Sequence, residues 1–254
     1  MKNSLEHSST NTSSQFTPLS NDFLKKRAVP NTEIFRHTQN NPWNYTLLNS
    51  YQKKLGQKIL HNHSPGTLLL SELSPIITLG KRANSQELTL PESVLQAHGI
   101  EILQTDRGGL GTYHGPGQWV LFLIDSLERL VGDPRGVKKA VEGLLEIGLK
   151  FCKKYHPSTH IRTQKETGVW TEKGKIASVG VQVENGILYH GMAINIYKTP
   201  SSFLGLRPCG LDLPVDYLVK NNFSSPFTPL STEEFLKYGS ELIQITLQQF
   251  YEQK

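Results

Sequence analysis

The feature that most restricts how this chain can fold is the dipeptide Asn185-Gly186, set between two strand-like runs at 179–184 and 187–193. A two-residue link of this kind predicts a β-hairpin, because both turn residues accept the positive φ that a type I′ turn requires. Such a turn leaves one register. Val183 then faces Leu188, Val181 faces His190, Gly180 faces Gly191 and Ser178 faces Ala193. Upstream, Lys173-Gly174 predicts a second tight turn joining 169–172 to 175–178, which completes a three-stranded antiparallel meander. The facing pair Gly180 and Gly191 lacks side chains. That weakens a strand unless some other group approaches the backbone closely there.

The rest of the chain is read around this meander. Residues 1–38 are rich in Ser, Thr and Asn and poor in branched aliphatics, so they read as a disordered or loosely docked arm. Glu6, Asp22 and the scarcity of arginine argue against an organelle-targeting peptide. Residues 39–254 read as one domain. A helix is predicted over 42–59, capped by Asn41, with Tyr45, Leu48 and Leu55 on one side. Strands are predicted at 66–72, 76–79 and 100–104, with a short helix at 91–98. The unbroken apolar run 119–124 suits a strand central in its sheet. Over 134–155, Val137, Val141, Leu144, Leu145, Gly148 and Cys152 fall on one helical stripe, which makes Cys152 a buried core residue. A closing helix is predicted over 233–251, with Ser231 or Thr232 as its cap, after a connection at 211–219. Strands and helices mix without regular βαβ alternation, which favours an α+β fold.

Chemistry enters through Cys209, in the run Arg207-Pro208-Cys209-Gly210-Leu211. With two cysteines in all there is no disulfide framework, which agrees with a reducing cytoplasm. A thiol attacks as its thiolate, which a nearby cation favours, and Lys175 lies in the meander upstream of Cys209. By itself the pattern favours a solvated turn lysine at 175, and His114 or His190 could instead serve Cys209 as base. The glycine-rich run 107–118 has neither the spacing of a dinucleotide fingerprint nor the Gly-Lys-Ser/Thr of a triphosphate loop. It reads as backbone that closes on an acyl or carbonyl group, or as a tight connection between strands. The histidines show no ligand spacing, so no metal and no cofactor is expected. A net charge of +5 without a basic block or interleaved aromatics excludes a nucleic-acid arm and suits an acidic protein partner. No stretch is long and apolar enough to predict a membrane span.

Three blocks resemble one family closely: 107–118 (RGGLGTYHGPGQ), 168–183 (GVWTEKGKIASVGVQV) with 190–195 (HGMAIN), and 208–211 (PCGL). The chain is similar over roughly 42–220 to the octanoyl-[acyl-carrier-protein]:protein N-octanoyltransferases, or lipoyl(octanoyl) transferases. The resemblance implies a mixed, mostly antiparallel sheet flanked by helices, like the catalytic domain of biotin and lipoate ligases. It implies that Cys209 carries the acyl group as a thioester and that Lys175 lowers the pKa of that cysteine. It also implies substrate contacts from Arg107, Gly108, Gly109, Leu110, Gly111, Thr112, Tyr113 and His114, from Ser178, Val179 and Gly180, and from Gly191, Met192 and Ala193. Two positions depart from the family pattern: Leu73 stands where a histidine is common, and Phe122 where a tyrosine is usual.

The implied reaction is a two-step transfer without ATP. Octanoyl-acyl carrier protein would be the donor. Lipoyl domains of 2-oxoacid dehydrogenase complexes and the glycine cleavage H protein would be the acceptors. An ATP-dependent ligase on the same fold would need no cysteine nucleophile, and a carrier-binding module could lose Cys209 without consequence.

Overall fold

Alternation along three neighbouring strands decides the architecture. The computed structural model describes residues 30–35, 43–62, 64–83, 85–207, 214–219 and 230–252. In β2 (Thr67–Ser71), β6 (Gln118–Ser126) and β10 (Ile187–Asn195) nearly every residue is buried. Leu68, Leu70, Trp119, Leu121, Leu123, Leu188, Met192 and Ile194 enter one core, and Leu69, Val120, Phe122, Ile124, Ile187, Tyr189 and Ala193 enter another. Successive strand side chains point to opposite faces, so a strand apolar at every position must be covered on both sides.

The covers are helices. On one face lie α4 (Val137–Lys153) and α5 (Thr232–Phe250), which supply Leu144, Phe151, Phe235 and Leu242 to the first core. On the other lies α1 (Tyr45–Asn62), through Tyr45, Leu48, Leu55 and Ile59. The short α3 (Leu127–Val131) follows β6 directly. Cys152 is fully buried in the first core, and burial pushes its thiol pKa up. Val137, at the head of α4, is 36% exposed and lies off the predicted stripe.

Among the described residues the main sheet has seven strands, and β6 lies inside it between β2 and β10. β9 (Lys175–Glu184), β8 (Gly168–Trp170) and β7 (His160–Arg162) continue it antiparallel. At its other edge β1 (Asn31–Phe35) pairs parallel with β2, so residues 31–35, read from composition as part of the N-terminal arm, form a strand. A second sheet of three strands sets β3 (Ile76–Leu79) between a parallel β4 (Glu101–Gln104) and an antiparallel β5 (Gly111–His114). Leu95, from α2 (Glu92–Ala97), packs with Ile77, Ile100 and Tyr113 beneath it. The fold is thus α+β and mostly antiparallel, with β5 arising from part of the glycine-rich run.

The hairpin register is the predicted one at all four pairs, from Val183↔Leu188 to Ser178↔Ala193. Asn185 and Gly186 carry φ of 51° and 76°. The upstream turn sits one residue earlier than predicted. Thr171 N donates to Gly174 O, and Lys173 N is held by Thr171 Oγ1, so the link is Glu172-Lys173 and β8 stops at Trp170. At the start of α1 the capping residue is Asn44, whose Oδ1 accepts from Thr46 N at 2.6 Å; Asn41 lies outside the described residues. Of the two expected caps of α5, Ser231 is the one used, and it forms a reciprocal pair with Glu234.

Candidate active site

The glycine pair in the hairpin is where the glycine-rich loop lands. Gly108 N donates to Val181 O at 2.9 Å, and a Cβ on Gly180 would stand 3.3 Å from Gly108 O. On the far side, a Cβ on Gly191 would run into Leu121 O of β6. The absence of side chains lets the loop close on β9 and β10 close on β6 within the same sheet. Arg107 anchors the loop: its guanidinium is buried, with Nη2 2.6 Å from Thr78 O and 2.9 Å from Thr78 Oγ1.

Between loop and hairpin lies a cavity of about 260 Å³. Its wall includes Arg107, Gly108, Gly109, Leu110, Gly111, Thr112 and His114 from the loop and β5, Lys175, Ser178, Val179 and Gly180 from β9, and Gly191, Met192 and Ala193 from β10. Tyr113 is not at the wall. Strand alternation turns it into the small core, where its hydroxyl meets Ser201 Oγ at 2.8 Å and burial pushes its pKa up to about 12. Cys209 lies outside the described residues. Val120, Phe122, Val141 and Val181 add apolar surface to the wall. Phe122 therefore bears on the cavity, whereas Leu73 is fully buried in the α1 core.

Lys175 is 4% exposed, far from the solvated turn lysine that its context suggested. Its Nζ donates to Thr167 O at 2.8 Å and stands 5.7 Å from the Trp170 ring centre. Its backbone is tied to residues 214–216: Lys175 N donates to Pro214 O and Asp216 N to Lys175 O, each at 2.9 Å.

Two histidines stand at the wall with different partners. His190, in β10, has φ 63° and sends its N–H to Gln52 Oε1 at 2.9 Å. Its ring lies 3.3 Å from Tyr45 Oη through Nδ1 and 3.2 Å from Asp106 Oδ1 through Nε2. Burial holds the His190 pKa below the usual histidine value, and Asp106 acts against it. Asp106 in turn sits 3.1 Å from Lys53 Nζ, and the hydrogen bond from His190 leads the effects holding its carboxyl far below the usual range. His114, in β5, meets Gln118 Oε1 at 2.8 Å through Nδ1, and burial holds its pKa at about 3. Gln118, Asn195 and Tyr45 went unread in the sequence as site residues; the first two lie inside the motif blocks, and nothing local marks the third.

Residues 44–236 match the lipoyl protein ligase A/B catalytic domain family. The chain is 36% identical over 182 residues to an octanoyltransferase of Alkaliphilus metalliredigens, covering 67% of this chain and 82% of that protein. It is 38% identical over 168 residues to a mitochondrial octanoyltransferase of Arabidopsis thaliana, covering 66% of this chain and 70% of that protein. Among solved structures, a lipoate-protein ligase A bound with ATP superposes with a TM-score of 0.60 at 11% identity, over 87% of this chain and 85% of that one. At that identity the likeness concerns the fold.

Proposed function

The chain belongs to the lipoyl protein ligase A/B catalytic domain family, and we propose that within it Cys209, activated by Lys175, carries an octanoyl group from octanoyl-acyl carrier protein to the lysine of a lipoyl domain. The activity is octanoyl transfer, an acyltransferase reaction of protein lipoylation. What carries the residue assignment is the position of Lys175: a buried ammonium at the wall of a largely apolar cavity, hydrogen-bonded through its backbone to Pro214, five residues along the chain from Cys209.

In the first step the Cys209 thiolate attacks the donor thioester and the carrier thiolate leaves, one thioester replacing another. In the second, the acceptor amine attacks the acyl-enzyme and forms an amide, which is more stable than a thioester, so no ATP is consumed. The Lys175 ammonium favours the thiolate form of Cys209, and backbone N–H groups of the glycine-rich loop can steady the oxyanion. The alkyl chain lies against Val120, Phe122, Met192 and Ala193. The acceptors are the lipoyl domains of 2-oxoacid dehydrogenase complexes and the glycine cleavage H protein, and the compartment is the reducing cytoplasm.

Intact mass after mixing with octanoyl-acyl carrier protein tests the reading. One octanoyl group should be gained, lost on adding a lipoyl domain and absent in Cys209→Ser. Transfer without any adduct would mean direct attack by the acceptor amine, and pyrophosphate release from ATP and free acid would make the chain a ligase.

A further inference from the structure

Three side chains beside the cavity have one consistent arrangement of donors and acceptors. Asn195 Nδ2 lies 3.2 Å from Asp216 O and 3.4 Å from Lys175 O. Main-chain carbonyls only accept, so the amide nitrogen must face them and Oδ1 is left to accept. Gln118 Nε2 lies 2.9 Å from that Oδ1 and 3.1 Å from Tyr113 O, which orients Gln118 in the same way and uses both of its N–H bonds. Gln118 Oε1, 2.8 Å from His114 Nδ1, can then only accept. The proton of the neutral imidazole is therefore on Nδ1, and Nε2 carries a lone pair.

That lone pair has no hydrogen-bond partner among the described residues, and His114, buried but for 6% of its surface, forms part of the cavity wall. Burial and the charge of Arg107 keep the ring neutral far below neutral pH. Arg107 and Lys175, at the same wall, can only donate. They suit a carbonyl oxygen and cannot receive an N–H.

We propose that Asn195 and Gln118 are positioning residues that hold His114 as a permanent acceptor for an N–H of the attacking lysine amine, aiming the amine lone pair at the acyl carbon. This rests on the octanoyl-transfer reading above. In the step concerned, the neutral amine forms its C–N bond, the C–S bond to Cys209 breaks, and the electron pair leaves on sulfur. The amine proton ends on that thiolate, and His114 takes up none. An acyl thioester carbonyl offers acceptors only, so the amine is the reacting group with N–H bonds to give. An amide N–H in the carrier's arm has the same chemistry, and the two half-reactions separate the sources.

The test has two parts. ¹⁵N NMR of the histidine-labelled full chain reads the tautomer without any variant, with His114→Gln assigning the resonance; the Nδ1–H form is expected, and exchange between tautomers in Gln118→Leu. Single-turnover discharge of octanoyl-enzyme to a lipoyl domain should then slow about tenfold or more in Gln118→Leu, as for a misaimed nucleophile, with thioester formation slowed much less. An Nε2–H tautomer in the unmodified chain overturns the proposal. So does equal slowing of both half-reactions, which would assign the contact to the donor arm or to folding alone. Failure of the unmodified chain to take up octanoyl would overturn the transfer reading and the amine role with it, while the tautomer would still be decided by NMR.

Discussion

Gly168 is the surface on which the Lys175 side chain rests. A Cβ there would collide with Lys175 Cε, stand 3.1 Å from Nζ and come within 2.7 Å of Ala177 O. The ammonium bonds the carbonyl of the preceding residue, Thr167, so one short segment both shapes the channel for the lysine and receives its charge. Gly168→Ala should therefore displace Nζ while leaving every charged residue in place. Misplacement of about 1 Å at a reacting centre can cost on the order of 100-fold, and a loss of that size in octanoyl-enzyme formation is expected. Unchanged acylation would separate Lys175 from the chemistry.

The two facing glycines of the hairpin should differ in what they break. At Gly191 a Cβ meets the Leu121 carbonyl in the middle of the main sheet, which cannot step aside. Gly191→Ala should lose about 3 kcal/mol, the upper part of the usual overpacking range, read from urea midpoints. At Gly180 the nearest atom is Gly108 O at 3.3 Å, on a loop. Gly180→Ala should keep its midpoint within about 1 kcal/mol of the unmodified chain and lose octanoyl transfer instead. Equal destabilisation of both variants would contradict this division.

Acid should weaken the fold earlier than carboxylate protonation would. Burial holds both His114 and His190 below the ordinary histidine value, His114 at about 3. From about pH 6.5 downward the unfolded chain binds protons that the folded chain refuses, so the stability these rings contribute is whole above that pH and lost as pH falls. For His114 the slope approaches about 1.4 kcal/mol per pH unit, and His190 adds to it in the same direction. Urea midpoints should fall between pH 7 and 4.5, less steeply in His114→Gln. A flat profile over that interval would show that the rings titrate normally.

Asn185 should be replaceable by glycine and by little else. Its φ of 51° lies in the left-handed region, where a residue other than Gly, Asn or Asp costs about 1–2 kcal/mol. Asn185→Ala is expected to lose about 1 kcal/mol and Asn185→Gly much less, with octanoyl transfer retained in both. Equal midpoints for Ala and Gly would count against the turn type.

What could be read from the residues depended on how local the cause was. The hairpin register is settled by two adjacent residues, which by themselves put Ser178 and Gly180 opposite Ala193 and Gly191. The cap of α5 is local in the same sense, and the reading narrowed it to Ser231 or Thr232, of which Ser231 is used. By contrast, β1 is a polar five-residue strand whose partner, β2, lies some thirty residues on, so its composition matched the arm before it. Helix α1 starts at Tyr45 rather than at 42, and Trp43 and Tyr45, on either side of Asn44, are drawn into a core that no local cap signal reports. The link from Lys175 O through Asn195 and Gln118 to His114 crosses β9, β10, β6 and β5, and no spacing rule reports a chain of contacts that long.

Cys152 has one further consequence. It is fully buried in the α4 core with its thiol pKa raised, and the chain has two cysteines in all. On the reading proposed above, thiolate chemistry in the folded chain at neutral pH is then that of Cys209. An alkylating reagent should act as an active-site titrant, its stoichiometry counting competent molecules in a preparation with no cysteine-free background needed, and the second equivalent should react only once urea has opened the core.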